Sequence, residues 1–288
     1  SDGTAYTFSV AVSDAAGNAA TADTSESFTY DVTAPTSTTA VLAVGGSGNG
    51  NNGDAVTMTL DPSETVGTPT CTFTSDGDAM AGTVSYSTTG ADSHVATVTV
   101  ADGDSDGAVA FSCTYSDLAG NAIASAITSA SSGSVTIDNT HPSISSVTFA
   151  SGDYVNNAED ESAINLVIVT SGVEDGNTVT ATLNSAGYTC SVSSNGCTAS
   201  ITSAGLKGLS DGTAYTFSVA VSDTAGNAAT ADTSESFTYD ITAPTSTTAV
   251  LAVGGSGNGN NGDAVTMTLN PSETVGTPTC TFTSDGDA

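Results

Sequence analysis

The chain has 288 residues, of which 31 are acidic and only one is a lysine or arginine, so its formal net charge at neutral pH is −30. This balance excludes a nucleic-acid partner, because neutralising phosphates requires clustered lysine and arginine, and it disfavours an anionic membrane surface for the same reason. Charged residues make up only 11% of the chain and hydrophobic residues 38%, which indicates folded domains with thin cores and not a disordered polyelectrolyte.

Residues 1–79 recur at residues 210–288 with three substitutions, so the chain repeats itself with a period of 209 residues. The substitutions are Ala15 to Thr224, Val32 to Ile241 and Asp61 to Asn270. Copies this similar indicate a recent tandem duplication. We therefore expect the chain to be a segment of a longer array that begins and ends inside a domain.

Alternation of apolar and polar residues predicts β-strands along the whole chain. In chain order the predicted strands are 55–60, 69–74, 94–100, 109–115, 164–169, 178–183, 215–222 and 236–239. Clusters of Gly, Asn, Asp and Ser between them predict turns, and the glycine-rich tract 45–53 is predicted to be a flexible loop. No helical periodicity of useful length is present, and no apolar run approaches the roughly 20 residues that a membrane span needs.

Two short motifs mark a smaller unit inside the long repeat. The motif Ser-Asp-x-Ala-Gly-Asn stands at residues 13–18, 116–121 and 222–227, and each copy is followed by Asp-x-Thr-x-Pro, at 31–35, 138–142 and 240–244. The spacing of the prolines matches the size of one β-sandwich of about 100 residues. This predicts two alternating domain types, with boundaries at 1–34, 35–141, 142–243 and 244–288.

This pair of motifs resembles the bacterial immunoglobulin-like repeats of giant cell-surface adhesins and biofilm proteins, and the resemblance covers essentially the whole chain. It implies an all-β fold of tandem immunoglobulin-like β-sandwiches in an extended rod at the cell surface. Many members of that family are similar to cadherins in binding calcium between domains, so the resemblance also implies interdomain calcium. His141, which stands where the other two copies have alanine, departs from the pattern.

Four of the five cysteines are predicted to form two disulfides inside domains. Cys71 and Cys113 lie on the inward parity of two predicted strands, and Cys190 and Cys197 flank a turn signal that would place them across a hairpin. Cys280 is the copy of Cys71, and its partner is expected beyond the segment. Because the Cys and His spacing does not suit zinc, disulfides are the preferred interpretation, and they imply an oxidising, extracellular location.

Acidic residues are predicted to meet at each junction between domains. In an immunoglobulin-like sandwich, the last loop and the loop between the second and third strands lie at the end where the chain enters, which places Asp117 and Glu64 beside the linker residue Asp31. The corresponding residues are Asp138, Asp223, Glu174 and Asp175 at the second junction, and Asp240 with Glu273 at the third. Calcium binds six to eight such oxygens.

A local interpretation of these acidic residues stays open beside the calcium hypothesis. An aspartate before a glycine-containing turn commonly accepts hydrogen bonds from the turn itself. The acidic residues Asp153, Glu159, Asp160 and Glu161 are expected in a solvated loop. The two histidines, His94 and His141, are expected at the surface, and neither stands in a motif that would make it a general base, so no enzyme is predicted.

The predicted function is therefore mechanical, as a stalk or fibre of tandem domains whose partners are neighbouring domains, with glycans or cell surfaces as adhesive targets. One alternative is an array of carbohydrate-binding modules. It is disfavoured because such binding uses exposed aromatic residues, whereas most of the tyrosines are predicted to point inward; they are Tyr6, Tyr86, Tyr115, Tyr154, Tyr188 and Tyr215. The other alternative is a filament that polymerises by strand exchange.

Overall fold

The computed structural model describes residues 2–45, 48–90, 92–253, 258–260 and 262–283. Nearly all of the regular structure is β-strand, as the alternation predicts. One short helix, α1 (Ser203–Lys207), was not predicted. Its five residues are too few to leave a helical period in the sequence, and it is held at its start by Thr202, whose hydroxyl accepts a hydrogen bond from Gly205 N.

Residues 37–137 form a two-layer sandwich. Its strands are β3 (Ser37–Val44), β4 (Asn49–Gly50), β5 (Ala55–Pro62), β6 (Thr70–Ser75), β7 (Asp78–Ala79), β8 (Ser85–Thr88), β9 (His94–Thr99), β10 (Gly107–Thr114) and β11 (Thr136–Ile137). One sheet has the order β3-β5-β9-β8 and the other β4-β11-β10-β6-β7. This is the two-sheet arrangement of immunoglobulin-like domains.

Residues 143–239 form a second sandwich of the same kind. Its strands are β12 (Ser143–Phe149), β13 (Tyr154–Val155), β14 (Ile164–Ser171), β15 (Thr178–Leu183), β16 (Ala186–Ser191), β17 (Gly196–Ile201), β18 (Thr213–Thr216), β19 (Ser218–Ala220) and β20 (Ser236–Tyr239). Strands β12-β14-β17 form one layer, and β16-β15-β19 together with β13-β20-β18 form the other.

Each sandwich has its own apolar core, formed by the alternate residues of each strand that point inward. In the first sandwich Val56, Met58 and Leu60 of β5 are fully buried. In the second, Phe217 and Val219 are fully buried, and Phe217 contacts Phe149 with ring centroids 5.1 Å apart. The predicted alternation along residues 215–221 is therefore confirmed, and each sandwich is stabilised by burial of its own inner faces.

Two further β-ribbons flank the sandwiches and are copies of strands within them. Strands β1 (Thr4–Thr7) and β2 (Ser27–Tyr30) pair with Thr4 opposite Tyr30, as β18 and β20 pair with Thr213 opposite Tyr239. Strands β21 (Ser246–Val253) and β22 (Val265–Pro271) repeat the pairing of β3 and β5. Among the described residues these ribbons have no second sheet over them, so their apolar side chains are exposed.

Both cysteine pairs form disulfides. Cys71 and Cys113 lie directly opposite each other on β6 and β10, with their Cα atoms 4.1 Å apart. Cys190 and Cys197 are joined across the tight turn at Ser194. The predicted hairpin is reduced to a single β-bridge between Ser193 and Gly196. Strand β16 pairs with β15 and β17 pairs with β14, so this disulfide links the two layers of the sandwich.

Several side chains lie elsewhere than the sequence predicts. The tract 45–53 contains β4, which pairs in parallel with β11, while Gly46 and Ser47 of that tract lie outside the described residues. His94 is buried at the start of β9 and not at the surface. The inward prediction is wrong for three tyrosines, which are exposed: Tyr6, Tyr86 and Tyr154.

Asp160 is also not the solvated loop residue that was expected. It is only 2% exposed, and one of its carboxylate oxygens accepts a hydrogen bond from the hydroxyl of Tyr239 at 2.5 Å. Burial and this bond to Asp160 raise the pKa of Tyr239 to about 12. The pair fixes the loop after β13 to the last strand of the second sandwich.

Candidate metal centre at the domain junction

The motif Ser-Asp-x-Ala-Gly-Asn forms a turn that holds its aspartate from within. One carboxylate oxygen of Asp117 accepts from Asn121 N at 2.8 Å and the other from Asn121 Nδ2 at 2.7 Å. Gly120 between them has φ +96°, which favours glycine. Asp117 thus accepts hydrogen bonds from its own turn, as the local interpretation predicts, and the turn fixes the carboxylate in place.

The linker motif Asp-x-Thr is held by an aspartate of the domain that precedes it. Asp2 accepts hydrogen bonds from Val32 N at 2.8 Å and from the hydroxyl of Thr33. Asp106 and Asp211 make the same two bonds to the second and third linkers. That these three residues bind the linkers was not predicted from the sequence, although each begins an Asp-Gly pair just before a strand.

The asparagine of the turn connects each linker to the domain that follows. Asn121 Nδ2 donates to the main-chain oxygen of Asp31 at 3.2 Å, and Asn227 Nδ2 donates to that of Asp138 at 2.7 Å. Each of these linkers is therefore bonded to the domain before it through an Asp-Gly carboxylate and to the domain after it through an asparagine amide. These bonds fix the position of the main chain of each linker relative to both neighbouring domains.

Three carboxylates from two domains meet at the first junction. Asp31 on the linker, Glu64 after β5 and Asp117 in the turn each offer an oxygen, and these oxygens all lie within 4.8 Å of one another. Asp117 is buried, whereas Asp31 and Glu64 are partly exposed. The three residues belong to the set that the sequence predicts, and we call them the junction cluster.

The junction cluster carries uncompensated negative charge. Partial burial raises the pKa of Glu64, and the charges of Asp31, Asp117 and Asp2 raise it further. Burial also raises the pKa of Asp117, but the hydrogen bonds from Asn121 outweigh that effect and leave it below its ordinary value. The only lysine, Lys207, is bound to Glu161 at 2.8 Å. A hard cation would relieve this repulsion.

The acidic residues at the second junction are arranged differently. Glu174 accepts hydrogen bonds from Thr224 N and Asn177 Nδ2, and Asp175 accepts one from Ser194 N. Burial raises the pKa of Asp138, and the charges of Asp223, Asp106 and Glu174 raise it further. Among the described residues, no group of three carboxylates here approaches as closely as the junction cluster.

At the third junction, Asp240 accepts a hydrogen bond from Thr242 N, in a cleft that Glu273 also lines. Asp240 and Glu273 are the copies of Asp31 and Glu64. The 288 residues contain no copy of Asp117 at this junction. The third junction therefore supplies acidic residues of the predicted kind without the full set.

Replacing Asn227 by alanine is expected to lower the free energy of unfolding of the second sandwich by about 1–3 kcal/mol. The change removes the side-chain donor to the buried Asp223 and the bond to Asp138. The matched control is Asn18→Ala, because Asn18 occupies an exposed copy of the same turn, where its side-chain amide bonds to Asp14. Calorimetric melting of both variants should separate them, and equal losses would contradict the role given to Asn227.

The fold and the junctions define the chain as a tandem array of immunoglobulin-like sandwiches joined by short, hydrogen-bonded linkers. No helix among the described residues is long and apolar enough to cross a membrane. No protein-family model matches the chain, and no curated protein matches it significantly.

Among solved structures the chain is similar to a Ca²⁺-stabilized adhesin with which an Antarctic bacterium binds ice, at 25% identity and a TM-score of 0.42 over 83% of this chain and 57% of that one. It is also similar to a 1.5-MDa bacterial ice-binding adhesin, at 22% identity and a TM-score of 0.40 over 81% of this chain and 74% of that one. Repeats from the extending region of a large adhesion protein match at 18% identity and a TM-score of 0.32, over 92% of this chain and 70% of that one. The chain thus spans just over half the length of the first of these structures.

Proposed function

We propose that this chain is a structural segment of an extracellular adhesin, in which tandem sandwiches form a stalk and calcium stiffens the joint at the junction cluster. The observation that carries the proposal is the meeting of Asp31, Glu64 and Asp117 within 4.8 Å, from the linker and the domain that follows. An ion bound there would connect the linker directly to the next domain.

The chemistry of the junction cluster suits calcium better than other common metals. Its donors are carboxylate oxygens, which hard cations prefer, and it has no cysteine or histidine ligand of the kind that zinc or copper selects. Main-chain carbonyls and water would complete the six to eight ligands that calcium takes. The hydrogen bonds within the turn hold Asp117 ready for such an ion, which lowers the cost of ordering the site.

The proposed stiffening follows from charge. Without a cation, Glu64 faces three other carboxylates, and the repulsion opposes close approach of the linker and the domain. With a divalent cation the same carboxylates attract the ion, which holds the linker and the domain together at the cluster. Disulfides within both sandwiches suit an oxidising location outside the cell, where calcium is abundant enough to occupy weak sites.

Replacing Glu64 by glutamine tests this function because its effect should change sign with calcium. In a chelator, we expect the first sandwich of the variant to melt at a higher temperature than that of the original chain, since a repelling charge is gone. In calcium, the variant should bind the ion about tenfold more weakly, because ligand charge sets calcium affinity, and should gain less thermal stability from it.

The control for this experiment is Glu273→Gln, which changes the copy of Glu64 at the third junction, where the full set of three acidic residues is not present. That variant should respond to calcium as the original chain does. The proposal is wrong if calcium and chelator give the original chain the same melting curve, or if Glu64→Gln leaves the calcium response unchanged.

A further inference from the structure

The three linkers are of two kinds, which differ at two positions. All three share the Asp, Thr and Pro of the motif, but the residue after Asp is Asn139 in the second linker and Val32 or Ile241 in the others. The residue before Pro is His141 in the second linker and alanine in both others. The second linker therefore has polar side chains at two positions where the other linkers have apolar ones.

Asn139 binds the sandwich that precedes the second linker. Its side-chain nitrogen Nδ2 donates to the main-chain oxygens of Ala101 and Asp104, at 3.0 Å each. Both acceptors lie in the loop between β9 and β10 of the first sandwich. Ile241, which holds the same position after the second sandwich, has no donor in its side chain and is 40% exposed. The second linker is thus tied to the sandwich before it by two bonds that the other linkers cannot form.

His141 binds the sandwich that follows. Its ring nitrogen Nδ1 lies 2.9 Å from the main-chain oxygen of Ala228, and because that oxygen can only accept, Nδ1 carries a proton and donates it to the bond. Ala228 follows Asn227, whose amide donates to the main chain of the linker at Asp138. Two adjacent residues of the second sandwich therefore bind the linker, one near its start and one near its end.

The two complete sandwiches also contact each other directly at this junction. The side chain of Asn51, which follows β4 in the first sandwich, reaches the turn of the second sandwich at Gly226. A Cβ atom at residue 226 would lie 3.2 Å from Asn51 Nδ2, which is a tight contact. Gly226 also has φ +99°, a conformation that favours glycine. The lack of a side chain at this position therefore permits the close approach of the two sandwiches.

We propose that two kinds of joint alternate along the array, and that the joint at residues 138–142 is held by protein contacts alone and stays rigid without a metal ion. Asp138 there faces the charges of neighbouring carboxylates, and the hydrogen bonds of Asn139 and His141 hold the linker against that repulsion. Among the described residues, the second junction has no group of three carboxylates as close as the junction cluster. Polar side chains close the second joint, whereas the first has charges for an ion to neutralise.

The alternation makes the sequence repeat a mechanical unit as well. Residues 35–243 contain one sandwich of each type and the second linker between them, and this pair keeps its shape in a chelator. When calcium is removed from the junction cluster, the array bends between such pairs and not within them. This last step rests on the proposed function, whereas the rigidity of the second joint does not.

Residual dipolar couplings of the whole chain in a chelator test the second joint, because they report the orientation of each sandwich without an added label. For the original chain, one alignment tensor should fit the couplings of both complete sandwiches, residues 37–137 and 143–239. The matched variant combines Asn139→Val with His141→Ala, which gives the second linker the residues of the first. Its sandwiches should need separate tensors, with a loss of alignment in one of them.

Separate tensors for the original chain overturn the proposal, as does a double variant that still fits one tensor. Thermal melting of each sandwich shows whether the variant is folded. If Asn139→Val lowers the melting temperature of the first sandwich, His141→Ala alone serves as the test, since its side chain bonds only to Ala228 of the second sandwich. That variant should also lose the common tensor, and couplings equal to those of the original chain would overturn the proposal.

A second set of couplings, recorded after calcium is added, separates this proposal from the proposed function. The relative orientation of the two complete sandwiches should stay the same, and a change would overturn the metal-independent joint. Failure of the Glu64→Gln prediction would instead count against calcium at the junction cluster and leave the couplings in chelator unaffected.

Discussion

Replacing Cys71 and Cys113 together by alanine is expected to destabilise the first sandwich by roughly 4 kcal/mol, since the disulfide closes a long loop in the unfolded chain. The two cysteines are 42 residues apart in sequence and both are buried. For a domain of about 100 residues, this loss should lower the melting temperature by on the order of 15 °C or more. Calorimetry of the whole chain, in which the second sandwich serves as an internal reference, measures it.

The matched variant for this prediction is the alanine replacement of Cys190 and Cys197. These residues are only 7 apart in sequence, so their disulfide removes less freedom from the unfolded chain, and the loss in the second sandwich should be about 2.5 kcal/mol. Equal losses for the two pairs, or a larger loss for the short loop, would contradict an account based on restriction of the unfolded chain.

Replacing Phe217 by alanine is expected to cost about 3–5 kcal/mol of the stability of the second sandwich, because a fully buried aromatic ring leaves a cavity. Its ring contacts those of Phe149 and Phe237, with centroids 5.1 and 5.7 Å away. The same replacement at Phe8 should change the free energy of unfolding by less than about 0.5 kcal/mol, since the ring is exposed.

Comparing Phe8 with Phe217 separates the effect of burial from that of local sequence, because the two phenylalanines lie in copies of one segment. Chemical denaturation followed by tyrosine fluorescence or calorimetry would compare them. A large loss of unfolding free energy from Phe8→Ala would show that the ring of Phe8 is buried in the chain. A small loss from Phe217→Ala would show that the core of the second sandwich is not formed as described.

Much of the fold could be predicted from the sequence because every strand of the sandwiches follows the same alternation of buried and exposed residues. Alternating burial along residues 215–221 and the shared parity of Cys71 and Cys113 both follow from the period of two in a strand. Paired strands then bring residues of matching parity together, as the register of β6 and β10 does for the two cysteines.

Side chains whose positions depend on contacts distant in sequence were not predictable in the same way. Asp160 is buried because Tyr239, at the end of the domain, reaches its carboxylate. The helix α1 is a single turn held by a cap. The residues that hold the linkers, Asp2, Asp106 and Asp211, lie about 30 residues before their partners, and the sequence pattern does not connect the two.

The junction cluster stands between these cases. Loop placement in an immunoglobulin-like sandwich predicts that Asp31, Glu64 and Asp117 approach one another, and the three lie together in the structure. The same reasoning places Glu174 and Asp175 beside Asp138. Glu174 lies near enough for its charge to raise the pKa of Asp138, while hydrogen bonds from Thr224 N and Ser194 N hold Glu174 and Asp175 in their own positions. Sequence position indicates which loops meet, whereas the hydrogen bonds available to each carboxylate decide where it points.

The central proposal, that calcium joins linker and domain at the junction cluster, is tested most directly by a crystal structure of the chain grown in calcium, with an anomalous difference map. We expect a peak with oxygens of Asp31, Glu64 and Asp117 about 2.3–2.6 Å away, and six to eight ligands in total. A map at saturating calcium with no peak among these three residues would contradict the proposal.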